Sequence, residues 1–184
     1  ILSISADLDE QQMIDLAEKW FAALPDTLHP DDILPQEPDQ TEPRRLEVER
    51  DVPADMLTIA FHTGPRRSPD FHASDLCSDL LAGGDSGRLY RRLVREEKLF
   101  ASVNAYITGD LDPGLFIFTG QLLPGIGFDE AEKALWQEIE AMKECSATPY
   151  EIEKVKNKFE ANTLFGEINV MNKAMNLGFY AMTG

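Results

Sequence analysis

Residues 81–120 read LAGGDSGRLY RRLVREEKLF ASVNAYITGD LDPGLFIFTG: a glycine-broken turn, a basic helix and a pair of strands in fixed order. Gly83 and Gly84 are expected to stop one helix where the backbone needs positive φ, and Asp85 or Ser86 can cap the free N–H groups of the next. That next helix sends Leu89, Leu93 and Val94 toward a core, while Arg88, Arg91, Arg92 and Arg95 occupy its other faces ahead of Leu99. Asp112, Pro113 and Gly114 then join two strands, one around Val103, Ala105 and Ile107 and one around Leu115 and Ile117.

Working toward the N-terminus, Ser68-Pro69-Asp70 starts a helix whose stripe is Ala73, Leu76, Cys77, Leu80 and Leu81. Leu57, Ile59 and Phe61 alternate as a strand, Pro53 marks a turn, and Leu46 and Val48 form a preceding strand expected to pair with it as a hairpin. Residues 24–45 hold five prolines among many acids, which predicts a loop of extended chain crossing the domain surface. Before it, Leu2 and Ile4 alternate as a short strand. Asp9 then caps a helix whose Met13, Leu16, Ala17, Trp20 and Phe21 recur at three and four residues, the pattern of a core stripe. Toward the C-terminus, Ala131, Leu135, Ile139 and Met142 mark a helix, and Thr148, Pro149 and Glu151 supply a capping box for another carrying Ile152, Val155 and Phe159. Gly166 is a break before a further helical segment that runs to Tyr180.

This order predicts an α+β, two-layer domain: a mixed, mainly antiparallel sheet of about five strands with helices on one face. The other face is wet or covered by a partner domain, and is a candidate chamber wall. At 184 residues with 43% hydrophobic and 27% charged content, a single domain over 1–184 is expected. The sequence opens at Ile1 inside a strand pattern and stops at Gly184 inside a helical one, which reads as a fragment of a larger chain. The formal net charge of −16 argues against a nucleic-acid surface or an anionic membrane and is compatible with a basic peptide, although solubility alone accounts for it. No apolar run approaches the roughly 18 residues of a membrane span. Cys77 and Cys145 lack the spacing of a disulfide framework or a zinc knuckle.

The ordered set of motifs resembles the pitrilysin and insulinase family of zinc peptidases, which includes the mitochondrial processing peptidases and many bacterial zinc proteases. Gly83, Gly84, Ser86, Arg88 and Leu89 resemble the family's glycine turn. Arg95, Glu96 and Leu99 resemble its Arg-Glu, Leu run, Ser102, Ala105 and Tyr106 the strand after it, and Gly114, Leu115 and Phe116 the following strand. Ser5 to Asp9 resemble the strand end and acidic turn that open the family's non-catalytic domain. The resemblance implies the LuxS/processing-peptidase-like metallohydrolase fold and a parent that hydrolyses peptide bonds. In such a parent an upstream domain binds zinc, two halves enclose a chamber, and peptide substrate is added as a strand to the catalytic domain. A bacterial parent is expected, with periplasm and cytoplasm both open.

A zinc peptidase needs imidazoles and a carboxylate on the metal and a second carboxylate for its water, commonly on adjacent helical turns. His29, His62 and His72 are scattered, and neither His-x-x-Glu-His nor its inverse is present. No metal or catalytic residue is therefore expected, and the ten motif residues Gly83, Gly84, Ser86, Arg88, Leu89, Arg95, Glu96, Leu99, Tyr106 and Gly114 are read as structural. Alignment on Leu99 puts Val94 and Ala101 where full-length relatives carry, in their last domain, an Arg and a Tyr that polarise the scissile carbonyl; neither side chain here can donate a hydrogen bond. Arg95 lies one position away and reads as a surface arginine. The Gly83–Gly87 loop lacks the Lys-Ser or Lys-Thr of a phosphate loop, and Ser86 lacks a triad context. Two other classes stay open: a structural or regulatory subunit of the same fold without protease activity, and a free-standing acidic peptide-binding module.

Overall fold

The computed structural model describes residues 1–25, 35, 37–144 and 146–183, and these fall into two compact units. The larger comprises Val52–Asn169 with Thr183; the smaller comprises Ile1–Asp51 and Val170–Met182.

In the larger unit, strands β1 (Met56–Thr63), β2 (Phe100–Ile107) and β3 (Gly114–Leu122) form an antiparallel sheet in the order β1-β3-β2. Register follows from alternation. Ile59 and Ala105 both oppose Phe118, and Leu57 and Val103 both oppose Gly120, so these side chains share one face. A bulge between Phe100 and Ser102 lets Phe100 turn into that same core, where it is 1% exposed. Helices α2 (Phe71–Ala82), α3 (Phe128–Glu144) and α4 (Pro149–Gly166) and a π-helix at Tyr90–Glu96 complete the unit. Leu81, Leu89, Leu93, Leu99, Ala131, Leu135 and Ile139 from these helices and their flanks meet Phe100, Ala105, Phe118 and Leu122 in one cluster. The architecture is thus α+β, with a layer of helices packed on the apolar face of the sheet. The opposite face presents exposed Thr58, His62, Asn104 and Tyr106.

Several expectations from the sequence differ from what is observed. Leu2–Ile4 and Leu46–Val48 are not strands, so the sheet has three strands among the described residues instead of about five, and the Leu46–Val48 hairpin is not formed. Alternation marks chain that can be extended, but a strand also needs a partner ladder, and Leu46 and Val48 remain 86% and 59% exposed. The helix after the glycine turn is a π-helix: the Glu97 N–H reaches the Arg92 carbonyl, and the Leu99 N–H reaches that of Leu93. The wider turn brings Val94 against the core beside Leu93.

In the smaller unit, α1 (Glu10–Phe21) begins as its sequence predicts. Asp9 accepts from the Gln12 N–H while the Gln12 side chain accepts from the Asp9 N–H, a reciprocal capping box. Its apolar stripe is not core, however, since Trp20 and Phe21 are 67% and 51% exposed and α1 has no buried residue. Helical period states which side would be buried once covered, and here Met13 and Ala17 line an open groove of about 420 Å³ with Leu2 and Ile4. Helix α5 (Val170–Thr183) belongs to this unit over Val170–Met182. Of the 24–45 loop, residues 26–34 and 36 lie outside the described residues; the rest has no regular structure apart from a turn near Ala22–Leu24.

Gly120 is buried against the Phe100 ring, and a Cβ there would sit 2.5 Å from two of its ring carbons. Gly120→Val is therefore expected to destabilise the domain by about 1–3 kcal/mol by overpacking, read from urea unfolding; an unchanged midpoint would refute the packing described.

Candidate functional site

The motif residues gather around the turn between α2 and the π-helix. Gly84 has φ of +84°, the left-handed region that favours glycine. Gly83 does not: its φ is −70°, and its need is space, because a Cβ would fall 2.1 Å from the Asp79 carbonyl oxygen that accepts the Gly83 N–H at the end of α2. The expectation of positive φ therefore holds at one of the two glycines. Neither Asp85 nor Ser86 caps the following helix by its side chain. Asp85 instead pairs with Arg95 at 3.6 Å, and the Ser86 hydroxyl and carbonyl accept from the Lys154 ammonium at 3.0 and 3.2 Å.

Leu89 is fully buried and Leu99 is 7% exposed. Arg88, one residue before Leu89, reaches across to the first turn of α4. Its Nε and Nη2 donate to the two carboxylate oxygens of Glu151, each at 2.8 Å, and its Nη1 lies 3.3 Å from the Met142 sulfur at the end of α3. Glu151 also accepts from the Thr148 N–H and hydroxyl, closing the capping box of α4 that its sequence predicts. Led by the Arg88 hydrogen bonds, these donors hold the Glu151 carboxyl at about 2 instead of 4.5. Lys158 adds a 2.8 Å bond to Asp79, so α4 is tied to both sides of the turn. On the other side of the π-helix, Arg92 forks to Glu97, Glu138 and Gln137 and fastens it to α3.

The remaining motif residues lie apart. Arg95 is exposed over the Tyr90 ring, at 5.5 Å from its centroid, and Glu96 faces Arg91 at 3.9 Å on the surface. Tyr106 is 44% exposed on the open face of the sheet. Gly114 opens β3 where a Cβ would meet the Thr108 hydroxyl at 2.3 Å, the same hydroxyl that accepts from the Leu115 N–H. Val94 packs on the core and Ala101 is exposed on β2.

His62 lies exposed near the end of β1 and His72 exposed in the first turn of α2; His29 and Cys145 lie outside the described residues. Among the described residues no group of three or more His, Cys, Asp or Glu is arranged to hold a metal ion, so they do not offer zinc a ligand set. Burial pushes the Cys77 thiol above its ordinary range, the opposite of what activates a nucleophile. A shallow groove of about 510 Å³ runs along α3 beside Trp136 and Glu140 and includes no motif residue. The cross-helix bonds of Arg88, Lys154 and Lys158 have no signature in a single sequence, because their partners lie 63 to 79 positions away. Only the Thr148-Glu151 box hinted that Glu151 would be fixed and able to receive a guanidinium.

The family model for the peptidase M16 inactive domain matches residues 1–159. A structure described as the inactive peptidase domain of a "putative zinc protease" from Bordetella parapertussis is 30% identical, with a TM-score of 0.65, and the match covers 74% of this chain and 73% of that one. A protease from Helicobacter pylori shares the fold at 22% identity and a TM-score of 0.80; the match covers 97% of this chain and 44% of that one. A peptidase M16 inactive domain from Pseudomonas fluorescens shares the fold at 21% identity and a TM-score of 0.59, over 70% of this chain and 30% of that one. The chain therefore spans less than half the length of the Helicobacter protease. No curated protein matches it. Among the described residues no helix is long and apolar enough to cross a membrane.

Replacing Arg88 by Met is expected to cost about 1–3 kcal/mol at neutral pH, because the half-buried Glu151 loses its charged donors. A carboxyl lowered by folding contributes stability that is full above its unfolded value and lost as pH falls through its folded one. The gap between wild type and Arg88→Met in denaturant unfolding should thus narrow as pH drops from about 4.5 toward 2; a gap independent of pH would contradict the assignment.

Proposed function

Because this chain belongs to the inactive-domain family of the M16 peptidases, the pitrilysin and insulinase group whose glycine turn it carries, we propose that it is the non-catalytic, chamber-forming domain of a zinc metalloendopeptidase. The observation that carries the reading is the family match over residues 1–159. The site agrees with it in kind. A catalytic arginine keeps its guanidinium free for substrate, whereas Arg88 gives three of its nitrogens to Glu151 and Met142 within its own fold. Val94 and Ala101 supply no donor where assistance to a scissile carbonyl would stand.

The division of labour follows. Zinc and its activated water belong to a domain upstream of this one, and the 184 residues contribute shape. The open sheet face with Thr58, His62, Asn104 and Tyr106 offers a wettable wall to an enclosed peptide, and the helices on the other face keep that wall rigid. The ten motif residues act by positioning this layer and take no part in chemistry.

The purified chain is expected to hold less than a tenth of an equivalent of zinc after dialysis and to leave casein and fluorogenic peptides uncut, while the parent protein binds about one zinc and cleaves them. Stoichiometric zinc on the isolated chain, or peptide cleavage by it that a chelator stops, would overturn the proposal, as would a parent that binds no zinc.

A further inference from the structure

No residue of β1, β2 or β3 is Asp, Glu, Lys or Arg, in a chain of which 27% is charged. Among the described residues β1 and β2 are the edges of the sheet, where charged side chains commonly guard against stray pairing. A sheet bare of charge even at its edges is not furnished as an outer surface. The register sorts its open face into rows that run across the strands. Thr58 and Asn104 both oppose Thr119, which makes a row of hydroxyl and amide groups. Ala60 and Tyr106 both oppose Ile117, which makes an apolar row about 7 Å from the first. Thr58, Ala60, Asn104 and Tyr106 are exposed, and Thr119 and Ile117 are half-buried.

Each row suits one part of an extended peptide. Thr and Asn side chains both donate and accept, so they can meet main-chain N–H and C=O groups whatever the peptide's sequence. The apolar row, with the Tyr106 ring at one end and small Ala60 at the other, suits uncharged side chains. A charged side chain laid here would give up water and find no counter-charge, which disfavours it whichever its sign. A permanent protein cover fits less well, because burying the hydroxyl and amide row costs free energy at each group left without a partner. The net charge of −16 pulls in another direction, since by itself it would draw basic peptides.

We propose that the open face of the sheet is a charge-excluding platform for extended peptide, so that the substrate segments it accepts are uncharged. The inference rests on the reading of this face as a chamber wall and names the class of substrate that the wall admits. The test places p-benzoylphenylalanine at position 106 of the intact parent, strips metal with a chelator, and adds three unfolded peptides of equal length: one uncharged, one with two interior Lys and one with two interior Glu. At about pH 8, where imidazole is neutral, the uncharged peptide is expected to crosslink at least about fivefold more than either charged one. Thr119→Glu in the middle of the sheet and Asn104→Glu on its exposed edge should each raise crosslinking of the Lys peptide, and lower that of the Glu peptide, by at least about threefold. Equal yields from the three peptides, a wild-type preference for the Lys peptide, yields that neither substitution changes, or crosslinks only to the parent's own residues or to a second copy would each overturn it. Zinc content and cleavage by the metal-loaded preparation separate the two claims. A zinc-free, inactive parent that crosslinks the uncharged peptide selectively refutes the peptidase reading and leaves the platform standing, whereas cleavage without selective crosslinking refutes the platform alone.

Discussion

The paired hydrogen bonds from Arg88 to Glu151 are the constraint around which the helical layer is organised. Both groups are mostly shielded from water, with side chains 16% and 21% exposed, so the Coulomb attraction is screened less than on an open surface. A bidentate fork also fixes orientation as well as distance. Because Leu89 follows Arg88 directly, holding the guanidinium on α4 aims the neighbouring leucine into the core, where Leu93 and Phe100 complete the contact. Glu151 in turn closes the cap of α4, so one carboxylate serves the start of one helix and the placement of another.

The glycine turn makes that geometry reachable. Gly84 supplies the left-handed residue, Gly83 leaves room for the Asp79 carbonyl in the last turn of α2, and Gly87 approaches the Leu81 carbonyl so closely that a Cβ would lie 2.8 Å away. A π-helix then adds a wider turn before β2. Segments of this kind recur at functional sites in other proteins. Here its effect is packing, since Leu93 and Val94 both face the core. Of the motif residues, Gly83, Gly84, Arg88 and Leu89 are engaged within the fold by sterics, a half-buried ion pair and core packing, while Arg95, Glu96 and Tyr106 stand at the surface.

Much of this was legible in the sequence. The stripe of α3, that of α2 apart from exposed Ala73, the pairing of β2 with β3 across Asp112-Pro113-Gly114, and the caps at Asp9 and Thr148 all depend on residues close in sequence, where pattern and mechanism coincide. What failed depends on partners far away. Leu46 and Val48 alternate as a strand does, yet no ladder meets them among the described residues. Met13, Leu16 and Trp20 recur like a core stripe, yet among the described residues no side chain of α1 is buried. The π-helix is invisible because its residues satisfy the 3.6 period nearly as well as the wider one. The Arg88–Glu151 pair spans 63 positions, which no local reading links.

The most direct test of this account is a double-mutant cycle on Arg88→Met and Glu151→Gln, with unfolding free energies measured at pH 7 and again near pH 2. A clasp of the kind described predicts a coupling of about 1–3 kcal/mol at pH 7 that shrinks toward zero as the carboxylate is protonated. Additive single effects at pH 7 would contradict it and would mean that Arg88 is not what holds these helices together.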